Sequence, residues 1–135
     1  MLKRENINFL VIHCSDTDDN LNIGALEIHN LHLKFGWDGI GYHKVIRRDG
    51  FIEEGRPEFW VGAHVYGYNN NSLGICLIGR NKFTQEQFYS LKKTLQIWKK
   101  KYPKAKILGH RDFSYTKKTC PNFDVELWLK KVDLN

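Results

Sequence analysis

Two histidines and one cysteine, far apart in the chain, are the residue types best suited to joint chemistry: His13, His110 and Cys120. Each histidine follows a short apolar run, residues 7–12 before His13 and Ile107-Leu108 before Gly109-His110. If those runs are strands, both imidazoles leave the core at a strand end, where a side chain is held rigidly yet stays reachable. Cys120 lies in the loop after His110. Two imidazoles and a thiolate are borderline-soft donors that suit Zn2+. Three protein ligands leave one tetrahedral position for water, the arrangement of a catalytic site and not of a closed structural one. No short ligand pair such as CxxC or HExxH is present, so a second reading stands beside this one: each histidine is a hydrogen-bonded structural residue at a strand end.

The rest of the chain has to bring those three residues together. Residues 7–12 read as a buried first strand, and the polar run Cys14-Ser15-Asp16-Thr17-Asp18-Asp19-Asn20 follows at once. Asn22 is placed to cap a helix reaching about Phe35, with Ile28, Leu31 and Phe35 at helical spacing and Gly36 to end it. Tyr42-His43-Lys44-Val45-Ile46 reads as a second strand, and Asp49-Gly50 predicts a tight turn from which Phe51-Ile52-Glu53 pairs back. Residues 55–72 lack periodicity and mix Arg56, Trp60, His64, Tyr66 and Tyr68 with glycine and asparagine, a composition that suits a groove wall carried on loops. Residues 73–78 are apolar on both parities, as in a central strand covered on both faces. Thr84 with Gln87 forms a capping box, and the helix it opens carries Phe88, Leu91, Leu95, Trp98 and Tyr102 on one face until Pro103 stops it. A short strand at Ile107-Leu108 and a final helix with Val125, Leu127, Trp128 and Leu129 complete the set. The expected fold class is α/β (α+β): a single domain over residues 1–135, a central mixed β-sheet flanked by helices, and the candidate site at one edge of the sheet.

Bulk composition agrees. At 135 residues, 41% of them hydrophobic and 13% aromatic, the chain can bury one core. The formal charge of +6 is densest late, at Lys99, Lys100, Lys101, Lys104, Lys106, Lys117 and Lys118. That face either attracts anionic polymers or is a solvated helix surface. No apolar run is long enough to span a membrane, and His13 interrupts the first run before it could serve as a signal-peptide core. Synthesis in the cytoplasm without a signal peptide is therefore expected. Three cysteines cannot all pair, so free thiols or a metal thiolate are expected in place of disulfides.

A set of ordered motifs narrows the reading. They are Val11-Ile12-His13-Cys14-Ser15, Gly36-Trp37, Gly41-Tyr42-His43, Arg48-Asp49-Gly50, Gly55-Arg56, Val61-Gly62-Ala63-His64, Gly67-Tyr68-Asn69, Asn71-Ser72-Leu73-Gly74-Ile75-Cys76-Leu77, Gly109-His110 and Lys118-Thr119-Cys120-Pro121. In order and spacing the chain resembles the zinc-dependent N-acetylmuramoyl-L-alanine amidases of the type 2 amidase and peptidoglycan-recognition superfamily. It is most similar to the amidase-type phage lysozymes, a group known also for inhibiting phage RNA polymerase. The resemblance implies hydrolysis of the amide between N-acetylmuramic acid and L-alanine, with peptidoglycan as substrate and one Zn2+ as cofactor. It also implies release to the cell wall for lysis and allows an RNA polymerase partner; separately, the chain is expected to be a monomer. It assigns His13, His110 and Cys120 as metal ligands, Tyr42 as a tyrosine lining the site and Lys118 as a catalytic lysine. His64 matches a position near the substrate groove, where it either binds substrate or hydrogen-bonds the loop. Arg56 is placed to pair with a stem-peptide carboxylate and Trp60 to stack on sugar or peptide. His43, His29 and His32 are expected to be structural, Cys14 to face away from the metal, and Cys76 to be a small buried hydrophobe. Some relatives carry a glutamate where this chain has Cys76; the phage-type ones also lack it. The alternative is a non-catalytic peptidoglycan-binding or polymerase-inhibiting protein on the same fold.

Overall fold

The first apolar run forms β1, Phe9–Cys14, with five of its six residues buried, and it becomes an inner strand of the sheet. The computed structural model describes residues 1–134. After β1 come α1 (Ala25–Lys34), β2 (Lys44–Ile46), β3 (Ile52–Glu54), β4 (Ser72–Leu77), α2 (Gln85–Lys101), β5 (Lys106–Gly109) and α3 (Val125–Lys131), with 3-10 turns at Arg4–Asn6, Asn69–Asn71 and His110–Asp112. The five strands lie in the order β3-β2-β4-β1-β5. All neighbours are parallel except the β2–β3 hairpin, so the sheet is mixed.

Period-two alternation divides the sheet into two faces. Leu10 and Ile12 of β1 join Leu73, Ile75 and Leu77 of β4, and this face packs against Leu91, Leu95 and Trp98 of α2 and Val125 and Leu129 of α3. The opposite parity puts Val11 with Val65 and Phe113, and Cys76 with Val45, Ile78 and Ile28 of α1. β4 is buried at every position because both faces are covered.

Several local expectations hold. Asp49 Oδ1 accepts the Phe51 N–H at 3.0 Å and Gly50 has φ +87°, closing the β2–β3 turn. Thr84 Oγ1 accepts the Gln87 N–H at 3.0 Å while Gln87 Oε1 accepts the Thr84 N–H at 3.0 Å, the reciprocal capping box that starts α2. The start of α1 differs from expectation. Its N-cap is Gly24, not Asn22. Glu27 Oε1 accepts the Gly24 N–H at 2.6 Å, and Glu53 Oε1, from β3, accepts the Ala25 N–H at 3.0 Å. Carboxylates from within and beyond the helix satisfy its first donors, so no Asn cap is needed.

Candidate metal centre

β1 and β5 run parallel with Ile12 opposite Gly109, so the residue after each pair, His13 and His110, emerges at the same carboxyl edge of the sheet. Their ring centroids are 4.6 Å apart. The loop after the third 3-10 turn returns to this edge, held where Arg111 donates its N–H to the Cys120 carbonyl at 2.8 Å. β5 ends at Gly109, so the N–H of Cys14 has no strand neighbour on that side; it donates instead to Cys120 Sγ at 3.0 Å. One ligand atom from each of His13, His110 and Cys120 lies within 4.8 Å of the others. Both histidines are buried and the cysteine is half-buried.

The hydrogen bonds around the two imidazoles decide which nitrogens face inward. His13 Nε2 lies 2.9 Å from His64 Nδ1, and His110 Nε2 lies 2.8 Å from the Tyr115 hydroxyl. Among the described residues Nδ1 of each ring is the nitrogen with no protein hydrogen bond, and so the one free to serve as a ligand. A neutral imidazole has one N–H and one lone pair. If Nδ1 offers the lone pair, Nε2 carries the proton, and His13 then donates to His64 Nδ1. His64 in turn must carry its own proton on Nε2, 3.2 Å from Ser72 Oγ, and Ser72 donates to the Tyr68 carbonyl at 2.7 Å. The chain of donors closes without conflict. Burial keeps both imidazoles neutral. It pushes His13 well below the usual histidine value, helped by His64, His110 and Lys118, and lowers His110 to about 4, helped by Lys118. Hydrogen bonding to Cys14 and then burial raise the Cys120 thiol above its ordinary value; a coordinated cation removes such a proton outright. Two neutral imidazoles, a thiol and outward-facing partners for both rings fit a zinc-type centre.

These residues form the floor of a cavity of about 890 Å3. Its lining includes the apolar Leu31, Phe35 and Trp37 and the polar Thr116, Lys117 and Lys118. Tyr42 lines it, with its ring 5.1 Å from that of His13. Burial, then the three nearby thiols, raise the Tyr42 phenol well above its ordinary value, so it stays protonated at neutral pH. Lys118 is exposed at the mouth, and its charge is felt at both His110 and His13.

The structure therefore brings together His13, His110, Cys120, Tyr42, Lys118 and His64. Two expected substrate residues lie elsewhere. Arg56 donates from Nε to the Ile40 carbonyl and from Nη1 to the Val61 carbonyl, both at 2.7 Å. Its guanidinium ties two loops together and lies outside the cavity lining, because those carbonyls face no strand partner. Trp60 is half-exposed, also outside the lining, and its carbonyl meets His43 Nε2 at 2.7 Å. His64 lines the cavity but is buried, with both ring nitrogens already bonded within the protein. Cys14 stays outside the ligand cluster, as strand alternation requires, but it is not remote, since it lines the cavity. His43, His29 and His32 are structural: their Nδ1 atoms accept the N–H groups of Gly74, Ile40 and Gly41 at 2.9–3.1 Å. Cys76 is fully buried. Tyr115 was not legible as a partner of His110, because nothing in the loop's sequence fixes its path. The one available signal was an aromatic hydroxyl five residues after a candidate ligand.

Residues 3–123 match the family described as N-acetylmuramoyl-L-alanine amidase. The chain is 40% identical over 140 residues to the endolysin of Enterobacteria phage K11, covering 98% of this chain and 91% of that one. It is 39% identical over 140 residues to the endolysin of Escherichia phage T7, with coverages of 98% and 91%. The solved N-acetylmuramoyl-L-alanine amidase LysC from Clostridium intestinale URNW superposes with a TM-score of 0.85 at 33% identity, over 100% of this chain and 91% of that one.

Proposed function

This chain belongs to the N-acetylmuramoyl-L-alanine amidase family, and on that premise we propose that it hydrolyses the amide joining N-acetylmuramic acid to the L-alanine of the peptidoglycan stem peptide. The role is that of an endolysin: a single amidase domain that reaches the cell wall after release and lyses it. The observation that carries the proposal is the meeting of His13, His110 and Cys120 on the floor of an open cavity. No helix among the described residues is long and apolar enough to cross a membrane.

An amide is a poor electrophile with a poor leaving group, so water and carbonyl both need activation. A zinc ion held by His13, His110 and Cys120 supplies this when bound, lowering the pKa of its water towards ~7 and polarising the carbonyl. The chain's own groups do the rest. Lys118 brings a positive charge to the cavity mouth, where it stabilises the oxyanion that forms when the amide carbon becomes tetrahedral. Tyr42, protonated at neutral pH, acts as a hydrogen-bond donor to the reacting groups. His64 holds His13 from behind. Phe35 and Trp37 in the lining offer apolar surface to the faces of a sugar or a lactyl group, while Lys117 favours stem-peptide carboxylates. A polymerase-inhibiting activity, implied by the resemblance alone, would be a surface property separable from hydrolysis; transcription by the cognate polymerase in the presence of metal-free protein tests it.

The proposal is tested by treating purified peptidoglycan with zinc-loaded protein. New L-alanine amino termini, abolished by chelation and restored by zinc, are expected. Release of reducing sugar ends, or release that resists a strong chelator, contradicts it.

A further inference from the structure

The Tyr115 hydroxyl joins two parts of the site that the proposed chemistry leaves unconnected. It lies 2.8 Å from His110 Nε2 and accepts the backbone N–H of Tyr66 at 2.9 Å. Tyr66 belongs to the irregular segment between β3 and β4, and 49 residues separate it from Tyr115. A single oxygen thus bridges a candidate ligand at the end of β5 and the loop wall of the cavity.

We infer that Tyr115 is a positioning residue: its hydroxyl accepts the His110 Nε2 proton, holds the ring with Nδ1 towards the metal position, and latches the Tyr66 segment to that ring. The inference rests on the reading of His110 as a ligand. The Tyr66 amide can only donate, so it fills one acceptor direction of the phenol oxygen. An imidazole that gives its Nδ1 lone pair to a metal keeps its proton on Nε2, and that proton fills the second. Among the described residues, Nε2 of His110 has no other polar partner. His13 is differently placed. It has its own partner, His64 Nδ1 at 2.9 Å from its Nε2, and is buried among the rings of Tyr42, His64 and His110. His110 opens a loop, and on its outer side it meets Tyr115, whose ring centroid is 6.0 Å away. Tyr115 is itself anchored against Phe113, which is buried with Val11 and Val65, and against the Tyr66 ring at 5.8 Å. The hydroxyl therefore acts from a braced position, as a ligand-orienting group must.

Two measurements test this. In zinc-loaded wild type, long-range 1H–15N spectra should show His110 bound through Nδ1 and protonated at Nε2; the reverse tautomer overturns the inference. In Tyr115→Phe, which removes only the hydroxyl, zinc affinity measured by competition with a chromophoric chelator should fall by about 10–100-fold. The Tyr66 amide should also exchange with solvent faster, with the far-UV circular dichroism unchanged. A variant that binds zinc as tightly as wild type overturns the positioning role even if it is less active. A wild type that takes up no zinc overturns the metal centre itself, and the inference with it, which is a different result from a zinc-loaded wild type matched by Y115F.

Discussion

Gly74→Ala tests how the sheet supports the metal centre. Gly74 sits in mid-β4, without a positive φ, so alanine imposes no backbone strain there. The obstacle is the His64 ring. A Cβ at position 74 would stand 2.6 Å from His64 Nδ1, 2.7 Å from Cγ and 2.8 Å from Cε1. Ordinary contact begins at 3.4 Å, so the ring must retreat by about 0.8 Å. It cannot do so freely, since its nitrogens meet His13 and Ser72 and its backbone N–H donates to Asn69 Oδ1 at 2.9 Å. Overpacking of this kind costs about 1–3 kcal/mol, and leaving the buried His13 Nε2 unpaired costs about 1–3 kcal/mol more. Against this, replacing glycine restricts the unfolded chain and returns about 0.4–1 kcal/mol. The clash outweighs the entropic gain, and a net loss of about 2–4 kcal/mol is expected. In urea denaturation of the metal-free protein, with m about 1–3 kcal/mol per M, the midpoint should fall by about 1–2 M. Zinc affinity should fall by about 10–100-fold, because Nδ1, the atom nearest the new methyl, is the one that orients His13. A variant at least as stable as wild type, with zinc bound as tightly, would refute the claim that Gly74 is small to admit His64.

Other predictions probe the frame and the titration of the site. Gln87 is fully buried and uses both ends of its amide, accepting from Thr84 and Arg48 and donating to the Ile46 and Ile78 carbonyls; Gln87→Leu should cost about 2–4 kcal/mol in urea denaturation, and a loss under about 1 kcal/mol would contradict that accounting. Arg56→Ala should lower stability by about 1–3 kcal/mol while leaving KM for peptidoglycan fragments unchanged; a raised KM with unchanged stability would return Arg56 to the substrate. Metal-free protein should lose stability as the pH falls from 6.5 to about 4. Burial holds His110 at about 4 when folded, so over that window the unfolded chain binds the proton and the folded one does not. Denaturant midpoints that stay flat or rise between pH 7 and 5 would contradict this sign.

Much of the frame is legible because it is local. The Asp49-Gly50 turn, the Thr84–Gln87 box and the two-sided burial of β4 each rest on residues within a few positions of one another. The placement of His13 and His110 is legible for a related reason: two short apolar runs that end in histidine become parallel neighbours, and their ends coincide. What stays hidden depends on chain paths that meet across long separations. The carboxylate that relieves Asn22 of its capping role comes from Glu53, 28 residues beyond Ala25. Arg56 looks like a free cation until two carbonyls, those of Ile40 and Val61, fold around it. His64 reads as a groove residue, yet its ring is drawn inward by His13, 51 residues earlier, into space that only a glycine at position 74 leaves open. Tyr115 gains its meaning from Tyr66 on another loop.

The central claim, a catalytic zinc site built from His13, His110 and Cys120 and served by Lys118, is tested most directly by one comparison. Amide hydrolysis of purified peptidoglycan should be measured for wild type, Cys120→Ser and Lys118→Ala, with bound zinc quantified in each. The account predicts that Cys120→Ser loses both zinc and activity, while Lys118→Ala keeps its zinc and loses rate, by a factor on the order of 10²–10³ for one oxyanion-stabilising group. A Cys120→Ser variant that retains zinc and full activity, or a zinc-loaded wild type inert on several wall types, would contradict it.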